Sequence, residues 1–379
     1  MPKKPRAERK EKKLDIRDVA LNAKVSIATV SRTINQVPSV NKALAKRVWQ
    51  SIEDLNFYPN TQARALKSGR SRIFGLILSD ITNPFFPELV QGFEDVAVKG
   101  GYEILITSTS YNPSRMELAV RRMLERKVDG VAVMTFGIEL PYLNQLASAG
   151  IPLVFVDDGP DGPQRTILQI DYQQGIRQGV QHLAALGHRR IAFISGPLQQ
   201  LSSRLRRSAF LQSLEEINIT AEAELIIEGD HTPLGGSKGA QQLLSLVNRP
   251  TAVVCSNDMT AIGLLRTAAK AGLRVPDDLS VVGFDDIHFA EFVSPPLTTV
   301  RMSRTLLAEA AVHALRQHAE SPVTSDKNVG AVHDKFISVP TQLTVRQSTS
   351  FPPNTMPQPA YGERRRPDAA TPSRSERNS

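Results

Sequence analysis

The 379-residue chain has a single cysteine, Cys255, which excludes an internal disulfide and suits a reducing compartment. No apolar run approaches membrane-spanning length and no secretory apolar segment follows the N-terminus, so a cytoplasmic protein without membrane contact is expected. No H-E-x-x-H, P-loop or paired Cys/His spacing occurs, and no metal or catalytic site is predicted. The G-x-S-x-G string Gly235–Gly239 lacks the apolar strand that a nucleophile elbow needs before its serine, Ser237. A loop, Gly229–Leu234, precedes it, so that serine is expected near a helix start. Residues 351–379 nearly lack aliphatics and carry no leucine heptad, so neither a packed core nor a coiled coil is expected there.

Charge is present but unevenly spread. Residues 1–72 hold 17 Lys and Arg against 6 Asp and Glu, whereas the other 307 residues hold 29 against 32. A basic front end on a mildly acidic body points to a polyanion touched by one segment only. Within that segment, Asp15 is placed to cap a helix over Ile16–Ala23, Lys24 falls in a tight connection, and Ser26 can cap a second helix from Ile27 to Asn35. Val30 and Ile34 share one face of that helix, with Ile27 at its border. Ala28, Ser31, Arg32 and Asn35 make a small polar face on which Arg32 can fork onto a guanine edge. Two short helices joined by a turn, the second with a bare polar face, predict a helix-turn-helix for the DNA major groove. An ordinary helical hairpin is the alternative.

A third helix is expected from Asn41 through Leu55, with Leu44, Val48, Ile52 and Leu55 inside, Lys42, Lys46 and Arg47 outside, and Trp49 over the core edge. Residues 1–13 read as a basic disordered arm, 14–59 as the helical module, and 60–72 as a short basic segment carrying one large aliphatic, Leu66. That segment reads as a linker, or as a hinge that folds on DNA with Leu66 wedged in the minor groove.

From Ile73 onward, apolar strand-length runs alternate with amphipathic helical stretches. The strands are expected at 73–78, 103–107, 130–134, 152–156, 190–194, 252–255 and 279–282, and the helices at 85–98, 115–125, 172–186, 206–216 and 259–271. This alternation predicts parallel sheets covered by helices on both faces, and the length predicts two such sheets. Ligands of open α/β sheets sit beyond the strands' carboxyl ends, which selects Asp80, Thr135, Asp157, Asn257 and Asp285. Cys255 is expected to be packing, and His188 to lie in a surface turn.

Asp18-Val19-Ala20, Val25-Ser26, Ala28-Thr29-Val30-Ser31-Arg32, Asn35, Tyr58-Pro59-Asn60, Ala63-Arg64 and Leu66 together resemble the lactose/galactose repressor family of bacterial transcription regulators. Asn83-Pro84-Phe85-Phe86, Asp129-Gly130, Asn257-Asp258, Gly283-Phe284-Asp285-Asp286 and Pro296-Leu297-Thr298-Thr299 resemble that family's core, so the likeness covers residues 14–350. The resemblance implies a helix-turn-helix headpiece and an α/β core of two doubly wound, periplasmic-binding-protein-like subdomains over 73–350, with crossings near 171–174, 296–302 and 330–338. It implies that Ile27, Ala28 and Arg32 read bases. Thr29, Ser31 and Asn35 would hold phosphate or brace the helix, Asn60 and Arg64 would contact DNA, and Leu66 would lever open a central base step.

The resemblance further implies a pocket lined by Asp80, Phe85, Phe86, Asp157, Arg206, His231, Asn257 and Asp285, suited to a polyhydroxylated ligand. No cofactor is implied beyond a small-molecule effector, a sugar or sugar derivative. Expected partners are double-stranded operator DNA, that effector and a second copy of the chain in a homodimer. The expected function is a ligand-responsive repressor of carbohydrate-utilisation genes. A repressor using a corepressor such as a purine or sugar phosphate stands as the alternative. A sugar-binding protein without DNA function, and an enzyme built on Ser237 or on Asp157 with Asp285, are the rivals from other classes. Three departures from the family pattern stand out: Lys24 where glycine is usual in the turn, Ala209 where glycine is usual, and His231 at an often aromatic position.

Overall fold

The structure, a computed structural model, describes residues 14–35, 37–58, 69–135, 140–159, 162–320 and 336–353. The chain divides into two compact units between Ser71 and Arg72.

Among its described residues the first unit contains three helices, α1 (Ile16–Ala23), α2 (Ile27–Ile34) and α3 (Lys42–Asp54). Each starts where a side chain can take up orphan amides. Asp15 and Asp18 form a reciprocal capping box on α1, the Ser26 hydroxyl accepts from Thr29 N, and Asn41 accepts from Ala43 N. Val19, Ala20, Ala23, Val30 and Val48 make the centre of the core, closed by Ile16, Val25, Ile34, Ile52, Leu55 and Phe57. Trp49 is 46% exposed and stands outside that cluster, so the expected cover comes from Phe57 instead. Lys24 adopts a left-handed backbone, φ 50°, and its N–H closes on the carbonyls of Ala20 and Leu21. Arg47 does more than face solvent, because its guanidinium donates to Ala23 O at 2.5 Å and Lys24 O at 3.1 Å and so pins the turn.

Among its described residues the second unit holds two six-stranded sheets. The first contains β1 (Ile73–Leu78), β2 (Glu103–Ser108), β3 (Gly130–Met134), β4 (Leu153–Val156), β5 (Arg165–Ile170) and β11 (Phe336–Val339), in the order β11-β5-β4-β3-β1-β2 and all parallel. The second contains β6 (Ile191–Ser195), β7 (Ile226–Glu228), β8 (Ala252–Cys255), β9 (Ser280–Asp285), β10 (Thr298–Met302) and β12 (Thr341–Thr344), in the order β12-β10-β9-β8-β6-β7. Among the described residues, its β10–β12 pair alone is antiparallel. The chain passes between sheets after β5, after β10 and between β11 and β12.

Helices α4 (Phe85–Lys99), α5 (Pro113–Arg126) and α6 (Leu140–Ser148) follow strands of the first sheet, and α11 (Arg304–Glu320) packs on α4 and on that sheet's strands. Helices α7 (Tyr172–Ala185), α8 (Leu201–Glu216), α9 (Pro233–Leu244) and α10 (Asp258–Lys270) serve the second. The interior runs of β1, β3, β4, β6 and β8 are buried almost throughout, as strands covered on both faces must be.

Several expectations are corrected. The apolar runs do not predict strands β5, β7, β10, β11 and β12, because polar residues interrupt them or they lie at sheet edges with little burial. Helix α8 begins at Leu201 rather than Arg206. His188 is buried rather than in a surface turn. Its ring bonds Thr251 at 2.8 Å, Ser280 at 3.0 Å and the Ser350 carbonyl at 2.9 Å, tying the segment after β12 to the second sheet. Ser237 sits within α9, which starts at Pro233, and its hydroxyl donates to Gly263 O. Cys255 is buried in β8, and burial pushes its thiol up. Among the described residues, no helix is long and apolar enough to cross a membrane.

Candidate functional site

In the first unit, α2 turns Val30 and Thr33 inward and leaves Ile27, Ala28, Arg32 and Asn35 exposed, with Thr29 and Ser31 half-buried. Thr29 bonds the Ser26 cap through its hydroxyl at 2.9 Å, and Asn35 donates to Ser31 O at 2.7 Å, so both brace the helix ends. The result is a short helix with a rigid start, a flat outer face and one projecting guanidinium. Such a face can enter a major groove, with Arg32 free to bond a base edge and small neighbours allowing close approach. Asn60, Arg64 and Leu66 lie outside the described residues.

In the second unit the strand ends carry the candidate groups. Asp157 follows β4 with φ 63°, and its carboxylate accepts from Tyr172 Oη at 2.6 Å and from Ile170 N at 3.2 Å. Burial pushes its carboxyl up to about 6, against the pull of those hydrogen bonds and of Arg206. Asp285 closes β9 with φ 106° and lies 3.6 Å from Arg206 Nη2. It too is raised to about 6 by burial, which outweighs the attraction of Arg206 and Arg304.

Arg206 sits at the centre of this group and is 4% exposed. Its Nη1 donates to Ser256 O at 2.5 Å, and its guanidinium lies 4.9 Å from the Tyr172 ring centre and 4.3 Å from that of Phe284. Among the described residues, Arg206 Nε is buried without a partner, as are Gln173 Nε2 and Gln200 Oε1.

His231 has φ 63° and places its ring between two hydroxyls, with Nε2 3.0 Å from Ser203 Oγ and Nδ1 3.2 Å from Ser256 Oγ. Burial, then the nearby Arg206, pushes its pKa down to about 3, so the imidazole is neutral. A Cβ on Gly196 would lie 2.0 Å from His231 Nε2, so only glycine leaves room for this ring.

Asn257 is buried and caps α10. Its Oδ1 accepts from Thr260 N at 2.9 Å and its Nδ2 donates to His231 O at 3.0 Å, so it supports the His231 turn. Asp80 accepts from Thr82 N and Oγ1, both at 2.8 Å. Thr135 accepts from Ser79 Oγ at 3.0 Å. Phe85 and Phe86 begin α4, both buried, in an edge-to-face pair with ring centres 5.4 Å apart.

The structure thus gathers Asp157, His231 and Asp285 around the Arg206 guanidinium, with Asn257 behind His231. Tyr111 extends the group: burial pushes its phenol up, against the pull of Ser79, Gln200 and Arg206. Sequence reasoning missed Tyr111, Tyr172, Phe284, Ser203 and Ser256. Phe284 and Tyr172 had one available signal each, an aromatic directly before the strand-end Asp285 and an aromatic directly after the capping Asp171. A cavity of 260 Å³ opens beside Asp157 and is lined also by Gln169, Ile170, Asp171, Leu205 and Ser338. A larger groove of 880 Å³ runs past Ser208, Gln212, Glu215 and Asn218, but no buried titratable group lines it, so the cleft around Arg206 is the stronger candidate.

A helix-turn-helix unit and a two-sheet core with polar groups gathered at strand ends define a DNA-binding regulator with a ligand-binding core. Residues 15–60 match the model for bacterial regulatory proteins of the lacI family, and residues 180–349 match that for a periplasmic binding protein-like domain.

The chain is 34% identical to the HTH-type transcriptional repressor PurR of Photobacterium profundum over 335 residues, 88% of this chain and 98% of that protein. It is 33% identical to the PurR repressor of Histophilus somni over 334 residues, 88% of this chain and 98% of that protein. Among solved structures, the Lac repressor dimer bound to operator and the anti-inducer ONPF superposes with a TM-score of 0.74 at 29% identity, covering 89% of this chain and 100% of that one. The cellobiose complex of the regulator CelR gives 0.65 at 27%, covering 88% and 99%.

The chain belongs to the lacI family of bacterial regulatory proteins. It is a ligand-responsive transcriptional repressor that binds operator DNA, in a family of repressors rather than enzymes.

Proposed function

We propose that this repressor acts in the cytoplasm as a homodimer on a palindromic operator and controls carbohydrate-use genes in response to an uncharged, polyhydroxylated effector. The observation that carries this reading is the charge balance of the cleft. Two carboxylates, Asp157 and Asp285, stand near one guanidinium, Arg206, and the imidazole of His231 is neutral. An acceptor-rich, net negative cleft favours hydroxyl donors and repels phosphates and sugar acids. The buried, unpartnered Arg206 Nε, Gln173 Nε2 and Gln200 Oε1 supply further polar contacts for such a molecule. Solved relatives carry cellobiose in CelR and ribose in a regulator from Enterococcus faecium.

A corepressor such as a purine is the second reading, favoured by the Phe85–Phe86 pair, which can stack a planar ring. In either case the effector acts by population shift, and so binds the two arrangements of the core with different affinity. On DNA, Arg32 reads a base edge, and Leu66 wedges into the minor groove at the operator centre.

The test is thermal stability of the full-length protein against matched neutral sugars, sugar phosphates, sugar acids and purines. A ligand at about 100 times its Kd adds about 2.7 kcal/mol. Stabilisation by a neutral sugar, with loss or gain of operator affinity, is the expected result. Stabilisation by phosphates alone refutes the charge argument, and by purines alone the carbohydrate reading.

A further inference from the structure

The loop that carries Asp285 has an unusual backbone. Asp285 and the next residue, Asp286, both have positive φ, 106° and 55°, and neither is glycine. Consecutive left-handed non-glycine residues persist only where neighbouring contacts over-determine them. Some of those contacts come from the second sheet and its own helices. Asp258 Oδ2 accepts from Ile287 N at 2.9 Å, and Asp286 is paired with Arg301 at 2.6 Å and Arg346 at 2.7 Å.

Two more contacts come from helices that cover the first sheet. Arg304, at the start of α11, donates from Nη1 to Asp285 O at 2.8 Å. Glu88, in the first turn of α4, accepts from His288 N through Oε1 at 2.9 Å. Glu88 Oε2 and Arg304 Nε are 2.8 Å apart, so the two grips are joined into one. α4 and α11 pack on each other, so both residues move with the first lobe. An ion pair with a quarter of each side chain exposed contributes little stability by itself. What distinguishes this one is that each partner also holds a backbone atom of the opposite lobe, at both ends of one four-residue loop.

We infer that Glu88 and Arg304 are positioning residues that couple the placement of Asp285 to the relative arrangement of the two lobes. A change of lobe orientation withdraws both grips together, and the left-handed loop then loses two of these five contacts. Conversely, an effector engaged by Asp285 keeps the loop placed and so favours the arrangement in which both grips are made. The coupling is reciprocal by linkage. Its regulatory meaning rests on the cleft being the effector site, but the contacts can be tested without any effector, so a failed ligand screen leaves this inference standing or falling by itself.

The experiment is amide hydrogen exchange on the full-length protein, with the variants Glu88→Ala, Arg304→Met and the double variant. Each single change is expected to speed exchange at residues 286–292 and in the first turn of α4 by roughly tenfold, with β6 and β8 unaffected. The double variant is expected to be no faster than the stronger single, because the pair forms one joined grip. Glu88→Gln serves as a milder probe should either truncation fail to fold, and is expected to change the same two segments. Unchanged exchange at 286–292, a uniform rise across the whole second lobe, or effects that multiply in the double variant would each overturn the inference.

Discussion

Arg47 gives the sharpest test of how the DNA-reading unit is held. Arg47→Met keeps the aliphatic stem but removes the donor to the carbonyls of Ala23 and Lys24, at 2.5 Å and 3.1 Å. These are the last carbonyls of α1 and of its left-handed cap, Lys24, which carries a side chain where the backbone favours glycine. Hydrogen bonds from a charged donor contribute about 1.5–3 kcal/mol each, but Arg47 is exposed and solvent screens it, so the pair is discounted to about 2 kcal/mol in total. A module of this size seldom has more than about 3–5 kcal/mol to lose. The change therefore raises the unfolded fraction of the unit about 30-fold while leaving most molecules folded at 25 °C.

Amide exchange on the full-length protein is the assay, read at Val19, Val30 and Val48, the buried centre of the unit. These amides should exchange about 30-fold faster, whereas non-specific DNA affinity and its salt slope should hardly change. A residue that contacted phosphate would instead lower the salt slope by about one. Unchanged protection at those three valines, or a lowered salt slope without faster exchange, would refute the structural role assigned to Arg47.

Two further perturbations follow from the core. Asp157 has a folded pKa raised from 3.8 to about 6, so its carboxyl contributes stability below pH 4 that is lost as the pH rises through 6. Asp157→Asn should therefore raise thermal stability at pH 7 by about 1–3 kcal/mol and leave it unchanged at pH 4, as a pH series of melting curves will show. Gly263 lets α10 approach α9, since a Cβ there would lie 1.9 Å from Pro233 O. Gly263→Ala should cost about 3 kcal/mol or more in denaturant unfolding, while Gly179→Ala, whose Cβ would meet Val282 at an ordinary 3.5 Å, should cost far less.

Much of this molecule is legible in the order of its residues. Runs of buried apolar side chains placed β1, β3 and β8 at their observed limits, because a strand covered on both faces needs no polar residue and ends where one appears. The caps Asp15, Ser26 and Asn41 marked helix starts by local hydrogen bonding alone, within three residues along the chain. The exposed face of α2 followed from its 100° period, and the family from motif spacing. The strand-end rule selects Asp157 and Asp285 from the sequence alone.

Other features are decided only by the fold. β5 and β10 carry exposed polar residues, and β7, β11 and β12 are short strands of little burial or high polarity, so nothing in their local pattern separates them from loop. His188 looked like part of a polar turn until three partners, from 63 to 162 residues away, enclosed it. The placement of Arg206 between Tyr172 and Phe284, and the grip of Glu88 and Arg304 on the loop of Asp285, likewise join residues up to 200 positions apart. Periodicity and capping are written within a turn or two of backbone. Burial, charge pairing and the neutrality of His231 depend on which distant segments the sheets bring together, so only the tertiary structure could determine them.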